Sequence, residues 1–119
     1  MTTAQIAHQL KTLCEQGKFD SALKELFATD AVSIEPRATS DFDKETKGLD
    51  GLLAKGDKWN KMVEKQHSFE ISEPVVAGQS FALTMHFDVT MKERGRMDMT
   101  ELCLYKVENG KIVSEEFFM

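Results

Sequence analysis

Two glutamates in the last third of the chain are the residues best placed to do chemistry. Glu101 interrupts a stripe of alternating apolar side chains that runs from Met97 to Tyr105. An acid in such a stripe is either hydrogen-bonded or open to a cavity, because an unpaired buried carboxylate is costly. Glu115 follows on the next predicted strand. Two carboxyls close together on a buried face push their pKa values apart, and such a pair suits proton transfer near neutral pH.

The hairpin between these acids decides whether they meet. We expect residues 109–111 to form a three-residue loop with glycine in the left-handed position. This loop pairs residue 101 with 117 and residue 103 with 115. Glu101 and Glu115 then become diagonal neighbours, roughly 6–8 Å apart at their β-carbons. They share their face with Tyr105 and Phe117, and we expect at least one of them to titrate well above an ordinary glutamate.

A second candidate pair, His86 and Asp88, lies two residues apart on one strand and therefore on one face. Whether that face also carries Glu101 depends on the next turn. A two-residue turn at 94–95 pairs Asp88 with Glu101. A three-residue loop at 93–95 with a glycine bulge instead puts the apolar face of the strand beside Glu101. The sequence leaves both registers open.

The elements that must position these residues are helices first and strands last. Apolar periodicity predicts helices over 3–16, 19–28 and 49–65, and alternation with turn residues predicts strands over 31–36, 67–72, 80–92, 96–107 and 111–119, with a loop at 37–47. Thr2 and Gln5 form a plausible capping box for the first helix. Gly56 costs the third helix about 1 kcal/mol against alanine, and we expect a close approach of this helix to the sheet to offset that cost.

This order predicts one α+β domain over residues 1–119. Three helices pack on one face of a curved, mainly antiparallel sheet, and a cavity remains between them. The other sheet face would carry apolar side chains in need of a partner, and we expect a homodimer through that outer face. The outer residues under the expected loops are Leu102, Leu104, Ile112 and Phe118.

The composition excludes several classes of function. Of the 119 residues, 41% are hydrophobic and 29% are charged, the balance of a folded domain rather than of a disordered segment. The net charge is −5, whereas a nucleic-acid binder needs a cationic surface that releases phosphate counterions. We therefore expect no nucleic-acid partner. No apolar run approaches the roughly 18 residues that cross a bilayer, so we expect no membrane partner either.

The cysteines and histidines point to neither disulfide nor metal. Cys14 and Cys103 lie far apart, and the first residues lack the features of a secretory signal. We therefore expect a cytoplasmic protein with two buried, reduced thiols. The three histidines and two cysteines have no metal-ligand spacing. Because phosphate loops and dinucleotide fingerprints are also missing, we expect no cofactor.

The ordered set of elements and motifs resembles the SnoaL-like branch of the NTF2-like superfamily, also called cystatin-like α+β cones. The most specific part is the ending, where an aromatic strand, the turn exit Gly110-Lys-Ile-Val113 and an acidic-aromatic last strand follow one another within 101–118. Residues 33–36, the 48–59 segment and His67 also resemble that branch. The resemblance implies a conical fold and, usually, a homodimer packed through the outer sheet face.

The same resemblance implies two catalytic positions. In ketosteroid isomerases of the superfamily, an aspartate before a proline at the end of the first strand is the general base, and Glu35 before Pro36 occupies this place. Facing an apolar cavity would raise the pKa of such a carboxyl. Epoxide hydrolases of the superfamily carry Arg-x-Asp on the strand that here reads His86-Phe87-Asp88, so histidine stands in place of the arginine.

Three functions are consistent with these residues. The first is a cone that binds a small apolar or amphipathic ligand. Its walls would be formed by Trp59, Met99, Tyr105 and Phe117, and its polar contacts by Glu35, His67, Glu101 and Glu115. The second is a cofactor-free isomerase, hydrolase or cyclase with Glu35 as the base and either Glu101 or the His86–Asp88 pair as acid or water-orienting group. The third is a structural dimerisation module. A cavity of about 300 Å³ or more favours the first two.

Overall fold

Three helices and a seven-stranded sheet make up the computed structural model, which describes all of residues 1–119. In chain order the elements are α1 (Thr3–Glu15), α2 (Phe19–Leu26), β1 (Phe27–Ile34), β2 (Glu45–Lys47), α3 (Leu49–Met62), β3 (Val63–Ile71), β4 (Val75–Ala77), β5 (Ser80–Met91), β6 (Gly95–Glu108) and β7 (Lys111–Phe118). The α+β class and the order of the main elements are as predicted. None of the helices combines the length and apolar character needed to cross a membrane.

Helix α1 begins at the predicted capping box. The backbone N–H of Gln5 donates to the hydroxyl of Thr2, and the backbone N–H of Thr2 donates to the side-chain carbonyl of Gln5. Both interactions satisfy N–H groups that the first turn leaves free. The apolar stripe of α1 is buried, and it consists of Ile6, Ala7, Leu10, Leu13 and Cys14.

Helices α2 and α3 end two and three residues earlier than predicted because strand pairing begins at their last turn. Phe27 adopts an extended conformation and pairs with Ile112, so α2 stops at Leu26 rather than at 28. Val63 is likewise extended and pairs with Met91, so α3 stops at Met62 rather than at 65. Sheet hydrogen bonds outweigh the helical periodicity at both points. The short strand β2 lies in the segment predicted as a loop, and β4 lies between two predicted strands, where no element was predicted.

The sheet runs in the order β2-β1-β7-β6-β5-β3, and β4 also pairs with β5. Only the β1–β7 pair is parallel. The inner face, which packs against the helices, carries the buried side chains of alternate residues in β5 and β6, namely Phe81, Leu83, Met85, Cys103, Tyr105 and Val107. The opposite side is called the outer face below.

The register of β5 with β6 puts Glu101 on the inner face. Met85 pairs with Glu101, and Met91 pairs with Gly95 across the loop 92–94. Both predicted registers are therefore wrong in their exact pairs. The loop does have three residues, but it starts one residue earlier than expected. The apolar face of β5 consequently lies beside Glu101, and His86 and Asp88 lie on the outer face.

A β-bulge in β7 puts Glu115 on the inner face. Asn109 and Gly110 form a two-residue turn with φ of 52° and 75°, so the predicted three-residue loop is wrong. Continuous pairing from that turn would turn Glu115 outward. The pairing changes, however, between Val107↔Ile112 and Lys106↔Ser114, so the extra residue between 112 and 114 reverses the alternation beyond it.

The two-residue turn and the bulge together overturn three other expectations. Glu115 pairs with Tyr105, and Phe117 pairs with Cys103, so the predicted pairs 103–115 and 101–117 are wrong. Glu101 lies four residues from the partner of Glu115, which makes the two acids more distant than diagonal neighbours. Ile112, expected on the outer face, is completely buried in the core.

Candidate functional site

A cavity of about 390 Å³ lies between the helices and the inner face of the sheet. Most of its walls are apolar, and they include Phe19, Leu23, Trp59, Met85, Phe87, Met91, Met97, Met99, Tyr105 and Phe117. Trp59 and Phe87 meet edge to face with ring centroids 6.2 Å apart. Tyr105 stacks on Phe81 at 4.8 Å and so belongs to the packed core as well as to the wall.

A chain of polar contacts crosses the wall of this cavity. The Nζ atom of Lys55 lies 2.5 Å from Oε2 of Glu35 and donates to Oγ of Ser33 at 2.9 Å. Ser33 in turn donates to Oε2 of Glu115 at 2.7 Å. These four residues together with Glu101 are called the polar cluster below.

Three elements hold the polar cluster in place. Ser33 pairs with Glu115 across the parallel strands β1 and β7, which sets their side chains next to each other. Glu35 follows β1, and its N–H donates to the carbonyl of Lys44 at 2.7 Å. Lys55 reaches the cluster from α3, and its Nζ atom lies 5.4 Å from the ring centroid of Phe117.

The two inner-face glutamates are weaker acids than ordinary glutamates. Burial raises the pKa of Glu101 to about 7, and repulsion from Glu35 and Glu115 adds to this effect while Lys55 opposes it. Burial also raises the pKa of Glu115 to about 7, against the hydrogen bond from Ser33 and the charge of Lys55. Both carboxyls therefore titrate near neutral pH, as predicted for at least one of them.

Glu101 differs from the other acids of the cluster because it has no partner within the protein. No side-chain hydrogen bond and no ion pair reaches its carboxyl group. Every side-chain nitrogen or oxygen that is completely buried has a hydrogen-bond partner. The unpaired carboxyl oxygens of Glu101 are therefore not completely buried, and Glu101 lines the cavity. Its carboxyl is available to a molecule bound there.

Seven of the ten predicted site residues line the cavity, namely Glu35, Trp59, Met99, Glu101, Tyr105, Glu115 and Phe117. His67, His86 and Asp88 do not. Their positions follow from the register, because the alternation of a strand decides which side chains share a face.

His67 lies outside the cavity because of a second β-bulge. The pairing shifts between Gln66↔Val89 and Ser68↔Asp88, which leaves His67 as the extra residue. Its exposed ring lies 2.7 Å from Oγ1 of Thr90. The prediction that His67 provides a polar contact in the cavity is therefore wrong.

His86 and Asp88 take part in outer-face contacts instead. Nε2 of His86 lies 2.6 Å from Oδ1 of Asp98, and this contact is the main cause of the raised pKa of His86. Arg96 donates to both carboxylate oxygens of Asp88 at 3.0 and 2.9 Å, and these hydrogen bonds lower the pKa of Asp88. Neither side chain can reach a molecule in the cavity.

Sequence reasoning missed two members of the cluster, Ser33 and Lys55. Both had a detectable signal. Ser33 shares the alternation of Ala31 and Glu35, and it is completely buried. Lys55 lies three residues after Leu52 and four before Trp59, so the helical period places it on the apolar face of α3. A lysine ammonium group on such a buried face requires an acidic partner, because an unpaired buried charge is costly.

Gly56 keeps part of the cavity open, contrary to the expected close approach. A β-carbon added at Gly56 would meet no atom within 4 Å, whereas one at Gly51 would lie 3.0 Å from Cγ2 of Thr46. The close approach of α3 therefore occurs at Gly51. Gly56 lines the cavity, so a larger residue there would project into open space.

The segment 35–44 closes one side of the cavity. Thr39 and Phe42 from this segment line it, as does Arg94 from the β5–β6 loop. Arg94 forms an ion pair with Asp41, and Lys58 of α3 lies 5.2 Å from the ring centroid of Phe42. These contacts fix the segment to both α3 and the loop.

No group of three or more His, Cys, Asp or Glu side chains is arranged to hold a metal ion.

Comparison with known proteins agrees with this architecture. A family model described as a SnoaL-like domain matches residues 1–119. A SnoaL-like protein from Mesorhizobium loti, proposed to be a polyketide cyclase, is 36% identical, with 100% of each chain covered and a TM-score of 0.90. A search of curated proteins found no match to the chain.

Two more distant solved structures share the fold. A protein of unknown function with a cystatin-like fold from Xanthomonas campestris is 20% identical, with 99% of this chain and 90% of that chain covered and a TM-score of 0.82. An NTF2-like protein from Burkholderia thailandensis is 16% identical, with the same coverage and a TM-score of 0.83. The predicted NTF2-like cone is thus confirmed.

Proposed function

The chain belongs to the SnoaL-like family, and on that premise we propose that it binds a small, largely apolar molecule inside the cone. The observation that carries this proposal is the cavity of about 390 Å³, whose apolar walls surround a few convergent polar groups. Small-molecule sites have this combination of volume, apolar lining and sparse polar contacts. The flexible methionines Met85, Met97 and Met99 adapt the wall to an irregular ligand.

The polar end of the ligand would meet the polar cluster. Glu101 offers free carboxyl oxygens, while Lys55 and Ser33 are already engaged with Glu35 and Glu115. The likeness to the Mesorhizobium loti protein, proposed to be a polyketide cyclase, supports a ligand of the polyketide type. A purely structural dimerisation module would have no use for an open cone of this size.

A second candidate function is cofactor-free acid–base catalysis on the bound molecule, of the isomerase or cyclase type. It is favoured by two carboxyls with a pKa of about 7 beside the Lys55–Glu35 ion pair. Glu101 would donate or accept a proton, because its acid and base forms are both populated at neutral pH. Glu35 would serve as the base. His86 and Asp88 take no part in this proposal because they lie on the outer face.

Trp59 provides a direct test of ligand binding. It is the only tryptophan of the chain and lines the cavity, so its fluorescence should change when the cavity fills. We would titrate the protein with 1-adamantanemethanol, a compact apolar alcohol that does not absorb where tryptophan does. A saturable change in Trp59 emission is expected.

Two substitutions at one position locate the binding. Gly56→Leu should fill the cavity and weaken binding by roughly tenfold or more, because the alcohol loses apolar contact area. Gly56→Ala is the matched control, which adds one methyl group and should retain the affinity within a few-fold. The proposal fails if the alcohol produces no saturable change, or if Gly56→Leu binds it as well as the unaltered protein does.

A further inference from the structure

The charges that face the cavity are out of balance. The polar cluster contains three carboxyls, Glu35, Glu101 and Glu115, but only one cation, Lys55. The Nζ atom of Lys55 lies 2.5 Å from Glu35 and 2.9 Å from Ser33. The ammonium group forms no ion pair or hydrogen bond with Glu101, whose carboxyl therefore stays unpaired. With all four groups ionised, the cluster carries a net charge of −2.

The free carboxyl of Glu101 opens into a cavity with aromatic walls. Trp59, Phe87 and Phe117 line the same space. Aromatic faces attract cations, and the attraction strengthens where water is excluded. One cation already uses this feature, since the Nζ atom of Lys55 lies 5.4 Å from the ring centroid of Phe117. An unpaired carboxyl, an excess of negative charge and aromatic walls together suit a positively charged ligand.

We propose that the cavity selects apolar molecules that carry a protonated amine, and that Glu101 is the residue that receives the ammonium group. This inference rests on the proposed ligand-binding function and specifies the ligand's charge. An ammonium ion would complete the pairing that Glu101 lacks, whereas an anionic group would meet the excess negative charge of the cluster. A charge-assisted hydrogen bond of this kind is stronger than the bond to a neutral hydroxyl.

The selection should depend on pH. The charged or titratable groups that line the cavity together with Glu101 are Cys14 on α1, Asp20 on α2, Glu35 after β1, Lys55 on α3, Arg94 in the β5–β6 loop, Tyr105 on β6 and Glu115 on β7. Cys103 lies two residues after Glu101 on β6. The pKa of Glu101 and of Glu115 is about 7. An ammonium ion prefers the ionised carboxylate, so amine affinity should rise between pH 6 and pH 8, while a neutral alcohol should bind almost equally at both.

Three probes with the same apolar body test this inference. They are 1-adamantylmethylamine, 1-adamantanemethanol and 1-adamantanecarboxylate, titrated against Trp59 fluorescence at pH 6 and pH 8. At pH 8 we expect the amine to bind about tenfold more tightly than the alcohol, and the carboxylate to bind more weakly than either. At pH 6 the advantage of the amine over the alcohol should shrink several-fold.

Glu101→Gln identifies the residue responsible. Glutamine has nearly the same shape but no charge, so the variant should lose the preference for the amine over the alcohol at pH 8. Glu64→Gln, at an exposed position of β3, is the matched control and should keep the preference. Circular dichroism of both variants would verify that they fold.

Each outcome has a distinct meaning. If the alcohol binds but the amine has no advantage at pH 8, the charge selection is wrong and the ligand-binding function stands. If Glu101→Gln keeps the full amine preference, the assignment of Glu101 is wrong. If none of the three probes binds, both the selection and the proposed function are wrong.

Discussion

The Nζ atom of Lys55 lies 2.5 Å from Oε2 of Glu35, and this ion pair joins helix α3 to the end of strand β1 inside the cavity. The same ammonium group lowers the pKa of Glu101 and of Glu115. Lys55 therefore influences the ionisation of both inner-face glutamates from one position on a helix.

Replacing Lys55 should make both titrating glutamates weaker acids. In Lys55→Met the positive charge is lost while the apolar stem is retained, so the pKa values of Glu101 and Glu115 should rise by roughly one unit or more above their present values. Carboxyl carbon-13 NMR titration measures both. Lys61→Met is the control, because exposed Lys61 pairs only with Asp57. Unchanged titration in Lys55→Met would contradict the role assigned to Lys55.

The stability of the fold should decrease as the pH rises from about 4.5 to 7. The pKa of Glu101 and Glu115 is about 7 in the folded protein, against an ordinary value of 4.5. The folded state thus binds more protons than the unfolded state between these values, and the free energy of unfolding falls with rising pH there. The stabilisation is complete below about 4.5 and is lost above 7.

Glu101→Gln should remove part of this loss. A shift of 2–3 pKa units corresponds to about 3 kcal/mol, and water in the cavity screens part of it. We therefore expect the variant to be more stable than the unaltered protein by ~1–2 kcal/mol at pH 8 and by much less at pH 5. Urea unfolding at both pH values gives the difference. Equal stabilisation at both would show that ionisation is not the cause.

Both cysteines should resist alkylation in the folded protein. Cys14 and Cys103 are free and buried, and we expect both thiols to be reduced. Burial raises the pKa of Cys14 to about 12 and that of Cys103 further, and only the thiolate reacts. Iodoacetamide at pH 8 should modify both at least ~100-fold more slowly than a free thiol. Mass spectrometry follows the reaction, and urea should abolish the protection.

We expect the protein to form a homodimer through the outer face. Leu102 and Phe118 are each 44% exposed there, paired across β6 and β7, and adjacent apolar side chains of this size usually find a partner. Light scattering should give the dimer mass at micromolar concentration, and Leu102→Lys should shift it to the monomer. Gln79→Lys, in the exposed turn before β5, is the control. A monomeric unaltered protein would contradict this expectation.

The sequence determined the elements and the kind of fold. The spacing of Ile6, Leu10 and Leu13 fixed the buried stripe of α1, and Thr2 with Gln5 fixed its start. The order of helices and strands, together with the motifs of residues 101–118, identified the family. These features are local or depend on the order of elements, so they can be read without knowing which strands meet.

Only the tertiary structure decided which side chains share the cavity. One extra residue between Ile112 and Ser114 turns Glu115 inward, and one at His67 turns that histidine outward. The loop 92–94 sets Glu101 beside Met85 and leaves His86 on the outer face. Because strand side chains alternate with a period of two, a single bulge or a shift of one residue in register exchanges the two faces.

The partnership of Lys55 with Glu35 and Ser33 was likewise a tertiary outcome. The helical period places Lys55 on the apolar side of α3, but its acidic partner is the residue that follows β1, 20 residues earlier. The open space at Gly56 also depends on how α3 sits over the sheet. Such contacts join elements distant in sequence, and their geometry is set by packing of the whole core, so the local sequence determines which residues are available but not which of them meet.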